Sequence, residues 1–192
     1  MNGATMKTFR LATLLGLLVL AAGCTTTSSG GGDSATRRAS IDAAVDDVMA
    51  RLFAQEAGAR QLVNEARGVL VFPNVLEAGL GFGASRGDGA LRKGGKTVSY
   101  HRTTGGSFGL QAGAQSTAVF ILFMTDDALA SFEKSRGWTA GVDANVTVLS
   151  AGANARVTST TVQQPVIGYV LSNRGLMAGL TIDGSRITRL SL

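Results

Sequence analysis

Ala118-Val119-Phe120-Ile121-Leu122-Phe123-Met124 is an unbroken apolar run with no charge and no turn former inside it. A run of this length, rich in branched and aromatic side chains, reads as a strand covered on both faces and therefore as the centre of a sheet. Upstream the pattern has period two. Gly79, Gly81 and Gly83 alternate with Leu80, Phe82 and Ala84, and the arrangement returns as Ser107, Gly109 and Gly113 opposite Phe108, Leu110, Ala112 and Ala114, which predicts pairing of two small-faced strands. Val69 to Phe72 is an earlier strand that Pro73-Asn74 should end, and Arg86-Gly87-Asp88-Gly89 reads as a turn.

Downstream, Thr125 or Asp126 caps a short helix over Asp127 to Ser135, with Gly137 as its stop. Val142 to Leu149 resumes alternation, with Asp143, Asn145 and Thr147 on the wet face. Val166 to Ser172, a turn at Asn173-Arg174-Gly175, Leu176 to Ile182, the Asp183-Gly184 hairpin signal and Ile187 to Leu190 then read as an antiparallel meander. At the other end Ile41, Val45, Val48 and Leu52 form a helical stripe, with Ser40 placed to cap it and Asp42 in its first turn. Gly58 breaks this helix, and Arg60 to Ala66 forms a second, shorter one. The fold class expected is α+β: N-terminal helices packed on a strongly curved, mainly antiparallel or barrel-like sheet, with one further short helix.

The chain has 192 residues, 45% apolar and 16% charged, which suits one core plus a leader. It contains one Cys and one His. An internal disulfide and a tetrahedral structural zinc site are therefore excluded, and any His-based nucleophilic catalysis would have to pass through His101. No acid/base pair with a supporting constellation is visible, so a non-enzymatic protein without a cofactor is expected.

Residues 1–23 read as a secretory leader. Lys7 and Arg10 give the positive start, and Leu11 to Ala22 (LATLLGLLVLAA) is an uncharged apolar stretch too short to span a bilayer. The end of the leader, Leu20-Ala21-Ala22-Gly23-Cys24, resembles the bacterial lipobox, with Ala21 where that pattern more often has Leu. Lipid attachment at Cys24 follows from the resemblance, and Thr25 in place of Asp implies the periplasmic face of an outer membrane. An ordinary signal-peptidase site with Cys24 a free thiol is the alternative. Residues 24–36 then form a Thr/Ser/Gly tether, and 37–192 form the domain. Loss of Lys7 and Arg10 with the leader lowers the formal charge from +5 to +3, too little for a nucleic-acid partner.

Within the domain, Arg92, Lys93, Lys96 and Arg102 form the densest cationic patch, around Gly94-Gly95. The plain reading is a solvated hairpin tip; the functional one is contact with lipid phosphates. Gly79, Gly81, Gly83, Gly109 and Gly113 are the other lipid-binding candidates, because a face without side chains admits close approach. Their period of two is not the G-x-G-x-x-G of a dinucleotide site. His101 beside Tyr100 reads as a packed or surface histidine rather than a metal ligand, and Trp138 reads as core or as an interfacial residue.

From Ala66-Arg67-Gly68-Val69-Leu70-Val71-Phe72-Pro73 onward the sequence resembles the SYLF domain, also called the Ysc84-type actin-binding domain. The further blocks are Ala78-Gly79-Leu80-Gly81-Phe82-Gly83-Ala84, Gly109-Leu110-Gln111-Ala112-Gly113-Ala114-Gln115, Ser150-Ala151-Gly152, and Gly175-Leu176-Met177-Ala178-Gly179-Leu180 with Asp183-Gly184. The resemblance implies lipid binding, to phosphoinositides in eukaryotic members, and actin-filament binding in fungi. Bacterial members look like stand-alone secreted lipoproteins, and this chain is similar to those. The eukaryotic aromatic-Ser-x-Pro block reads Val98-Ser99-Tyr100-His101-Arg102 here, and the Ala-Gly-Pro segment reads Ala151-Gly152-Ala153. The function expected is a lipid-binding lipoprotein module; the alternative is an envelope structural or protein-interaction module in which lipid matters only through the anchor.

Overall fold

A computed structural model of the chain describes residues 30–149, 163–172, 175–176, 182 and 184–192, with the backbone alone for 30–32, 79–82, 107–115 and 175–176. The chain divides at Asp33/Ser34, and the unit Ser34–Leu192 is the one described here. Cys24 lies outside the described residues, as do 150–162, so the leader, the anchor and the Ser150-Ala151-Gly152 block are sequence readings only.

Among the described residues two helices lead into the sheet, α1 (Gly30–Gln55) and α2 (Ala59–Glu65). The stripe Ile41, Val45, Val48 and Leu52 is buried, as its spacing requires. Helix α1 nevertheless begins ten residues ahead of Ser40, which is therefore an exposed interior residue and not a cap, and its first turns take in the end of the expected tether. Long-range contacts hold this extension down. Arg37 pairs with Asp88 at 2.5 Å, and Arg38 donates to the Leu192 carbonyl.

The sheet is built on one very long hairpin, β1 (Gly68–Lys93) and β2 (Lys96–Phe123). Two expected breaks in it are absent. Pro73 does not end the first strand; the ladder shifts register between Phe72 and Val75 and then continues, the bulge accommodating a residue that cannot donate. Nor do Arg86 to Gly89 form a turn, since they pair in register with Thr104 to His101. The reversal occurs at Gly94 and Gly95, with φ of 54° and 79°, the positive values that a two-residue hairpin loop needs.

Among the described residues five shorter strands join the sheet: β3 (Trp138–Thr139), β4 (Thr147–Leu149), β5 (Val166–Ser172), β6 (Gly175–Leu176) and β7 (Arg186–Leu190). Their order is β3-β7-β2-β5-β4, with β1 also on β2 and β6 on β5. β2 is thus the centre, as the run 118–124 predicts. One of its ends pairs with β5, Phe120 opposite Tyr169, and the other with β7, Thr103 opposite Ile187. The expected meander is accordingly interrupted, because β7 leaves β5 and β6 for the far end of β2. The strand expected over 142–149 shrinks to β4, which runs parallel to β5. The segment before it is a turn, in which the Asp143 carboxylate accepts from the Thr139 amide at 2.5 Å. The sheet is strongly curved and mixed, and the fold is α+β.

Alternation along β1, β2 and β5 separates two cores. Val69, Val71, Ala118, Phe120, Leu122, Ile167 and Tyr169 pack under α1 and α2. Leu70, Phe72, Ile121, Phe123, Val166 and Val170 pack on the opposite side with Trp138, Ile187 and α3 (Asp126–Lys134). Thr125 caps α3 by accepting from the Ala128 amide at 3.2 Å. The sheet centre is therefore sealed on both faces, and Trp138 is core.

β1 is bent back against itself. A Cβ added at Gly89 would fall inside the Val71 carbonyl oxygen and 2.6 Å from Phe72 Cδ1, and one at Gly87 would lie 2.9 Å from the Asn74 carbonyl oxygen. These two glycines are where the second half of the strand crosses the first. Gly89→Ala should therefore cost about 3 kcal/mol or more, at the upper end of over-packing effects. For a domain of this size that lowers Tm by roughly 6–12 °C. Gly106→Ala, whose Cβ would meet no atom closer than 3.9 Å, should change stability by no more than about 0.5 kcal/mol. Thermal unfolding followed by circular dichroism reads both.

Candidate functional site

The hairpin cations do not form a free patch. The Arg92 Nη1 pairs with Asp46 at 2.5 Å, and its Nη2 donates to the Asp42 carbonyl at 3.3 Å. Lys93 pairs with Glu133 at 2.6 Å. Arg102 forks onto Asp88, Nε to Oδ1 at 2.7 Å and Nη2 to Oδ2 at 3.1 Å, and Arg37 shares the same carboxylate. Burial raises the Asp88 carboxyl, but the hydrogen bonds and positive charges of Arg102 and Arg37 together outweigh it and hold the pKa below the usual carboxylate value. Lys96 is exposed just beyond the turn. Of the four cations singled out in the sequence, three thus already have a carboxylate partner, Arg92 on α1, Lys93 at Glu133 and Arg102 at Asp88. Asp42 also accepts from Thr97 Oγ1 and from the Tyr100 hydroxyl, each at 2.7 Å.

The two glycine stretches pair across the ribbon, with a register shift between Leu80 and Gly81 that a strict period of two does not contain. Gly79 pairs opposite Gly113 and Gly81 opposite Gly109, while Gly83 faces Ser107. The two small-faced stretches are therefore cross-strand neighbours in one ribbon.

The same folding-back of β1 that brings Gly89 onto Val71 also brings Arg92 and the Gly94-Gly95 turn beside the start of the strand. Between them and the two helices lies a slot of about 300 Å³, walled by Met49 and Phe53 of α1, Val63 of α2, Ala66, and Val69 and Val71 of β1. Met49 and Phe53 each lie one residue beyond a position of the buried stripe, so they flank the core and remain partly exposed. Arg60 and Arg92 also line the slot, together with Asn64. The Arg60 guanidinium carbon stands 4.3 Å from the centre of the Phe53 ring, a cation–π contact. The Nε of Arg92 is buried and has no hydrogen-bond partner.

Two larger hollows are more open to solvent. One, about 390 Å³, runs past Leu76 and Arg86; the other, about 370 Å³, lies among Asp47, Arg51, Ser116 and Thr117. The slot alone of these three joins an apolar wall to an unsatisfied cationic donor. Of its lining, only Arg92 stood out in the sequence. Met49, Phe53, Arg60 and Val63 read there as ordinary positions on amphipathic helices, and only the bend in β1 gives them a common cavity.

Among the described residues, no group of three or more His, Cys, Asp or Glu side chains is placed to hold a metal ion, and no helix is long and apolar enough to cross a membrane. His101 is buried in an aromatic cluster. Its ring centre is 5.0 Å from that of Phe132, which lies tilted against Phe123 and edge-on to Trp138, and its Nε2 is 2.8 Å from Ser99 Oγ. Burial, and secondarily the charge of Arg189, push its pKa down to about 4, with Glu133 opposing.

Residues 104–191 match a family model described as Ysc84, Las17-binding protein actin regulator. No curated protein matches the chain. The matched residues run from the middle of β2 through β7 and do not include the slot, whose walls all come from residues 49–95.

His101 gives the domain a defined acid response. The unfolded chain protonates this residue near pH 6.5, the folded one near 4, so its contribution to stability is complete above 6.5 and is lost as pH falls towards 4. The loss should amount to roughly 2–3 kcal/mol. Urea unfolding at pH 7, 5.5 and 4.5 should show it in the native protein, and His101→Gln should flatten the trend across that window.

Proposed function

We propose, on the premise that residues 104–191 are a segment of the Ysc84, or SYLF, family, that this protein is a non-enzymatic lipid-binding module. In this reading acyl chains on Cys24 hold it at the periplasmic face of a bacterial outer membrane. The family supports a lipid- or protein-interacting module; the lipid choice rests on the slot, in which an apolar wall and two guanidinium groups face one cavity. That combination suits an amphiphile, whose chain leaves water while its head meets a cation. The anchor is supported by the sequence alone, through the uncharged stretch Leu11 to Ala22 and the Cys that follows Gly23. More than one acyl chain on that residue makes attachment stable. His101, which a His-based mechanism would need, is packed among aromatic rings, which favours a binding role.

A second reading is favoured by the wording of the family description, which names a Las17-binding actin regulator. On that reading the domain contacts protein, and Leu76, 55% exposed at the rim of the hollow beside Arg86, is where such a partner would rest.

Sedimentation of residues 34–192 with neutral and with anionic vesicles, at low and high salt, separates the two. The lipid reading expects binding to anionic vesicles, a part of it surviving salt that screens surface charge, and acyl lipid carried through purification. Absence of binding to every vesicle, with a stoichiometric protein recovered by cross-linking, would establish the second reading instead. In the full chain, Cys24→Ser should abolish incorporation of labelled palmitate and move the protein out of the membrane fraction. Unchanged labelling would remove the anchor.

A further inference from the structure

We propose that the slot between α1, α2 and the β1–β2 turn holds one acyl chain of a single-chain anionic amphiphile, its carboxylate or phosphate head meeting Arg92 and Arg60. The inference deepens the lipid reading and rests on it. Three observations carry it. The first is size: a methylene takes about the room of a water molecule, whose share of liquid volume is about 30 Å³. The slot's 300 Å³ therefore admits on the order of ten carbons, enough for one chain and too few for the two chains of an ordinary phospholipid.

The second is an unmet donor. Arg92 gives Nη1 to Asp46 and Nη2 to the Asp42 carbonyl, which leaves its buried Nε–H without an acceptor. A buried donor left unpaired is costly and rare enough to call for a cause; the atom is closed to water, so the Arg92 side chain has to turn for an anionic oxygen at the head of a bound chain to supply the missing acceptor. The third is the placement of charge. Arg60 stands over the Phe53 ring at the opening, with no carboxylate paired to it among the described residues. A cation held against an aromatic wall stabilises a negative head and keeps the adjoining Met49 and Val63 surface for the chain.

Calorimetric titration of residues 34–192 with decanoate, decyl phosphate and decanol, all below their aggregation concentrations, tests this. Both anions should bind at least tenfold more tightly than decanol, and the tighter of the two identifies the head as carboxylate or phosphate. In a carboxylate series from six to fourteen carbons, affinity should rise about fourfold per methylene and level off near ten. Arg60→Gln, at an exposed position, should weaken decanoate severalfold and leave decanol unchanged. Val63→Trp, which fills the slot, should abolish both. Equal binding of decanol and decanoate, affinity that climbs without a plateau, or unchanged decanoate binding by both variants would overturn the proposal. If chains do not bind but the domain still sediments with anionic vesicles, the slot is refuted while the lipid-binding function stands.

Discussion

The close crossing of β1 over its own first half is the constraint on which the rest of the molecule depends. Gly87 and Gly89 lie so near the backbone of residues 71–75 that no side chain fits between them. That contact decides where everything else goes. It turns a hairpin that would otherwise extend far into solvent into two stacked halves. It presents Asp88, which the ladder already sets opposite Arg102, to Arg37, and Arg92 to Asp46, so that α1 is tied across the fold by charge as well as by its apolar stripe. It also encloses the slot, because Arg92 and the turn could not otherwise reach the start of their own strand.

Where the sequence could be read, local periodicity matched the tertiary outcome. The run 118–124 is the sheet centre because its even and odd residues face two separate cores, and Gly79 meets Gly113 within two small-faced stretches, whereas Gly81 meets Gly109 only through the register shift after Leu80. Helix α3 and its Thr125 cap were legible for the same reason. The misreadings occur where a residue's local meaning was overridden from a distance. Arg86 to Gly89 has turn composition, yet its glycines serve a crossing and its Asp an ion pair, neither visible in a short window. Pro73 is absorbed by a bulge. The strand Ile187 to Leu190 was correctly seen, but its partner was not, since alternation says which face a residue takes and nothing about which strand lies beside it.

The candidate site was legible only in part, and for an electrostatic reason. A cluster such as Arg92, Lys93, Lys96 and Arg102 has a surplus of charge only when the acids lie elsewhere in space, and here Asp42, Asp46, Asp88 and Glu133 come from α1, β1 and α3 to meet it. The exposed member of these pairs, Lys93 with Glu133, contributes little to stability. The forked Arg102–Asp88 contact is of the stronger, geometry-specific kind. What distinguishes the slot is one donor that this internal neutralisation leaves over, a property of a single nitrogen atom that no count of charges along the chain reveals.

The pairing of β7 has a consequence for how the molecule is assembled. Tyr100 lies opposite Leu190 and Thr104 opposite Arg186, so one edge of the central strand waits for residues made much later. Contacts of such separation in sequence close slowly. A chain made from its amino end therefore carries an unpaired strand edge at residues 100–104 until β7 arrives. An open edge of this kind recruits other chains. Damage to β7 leaves that edge open in the finished chain as well, and should be felt first as aggregation.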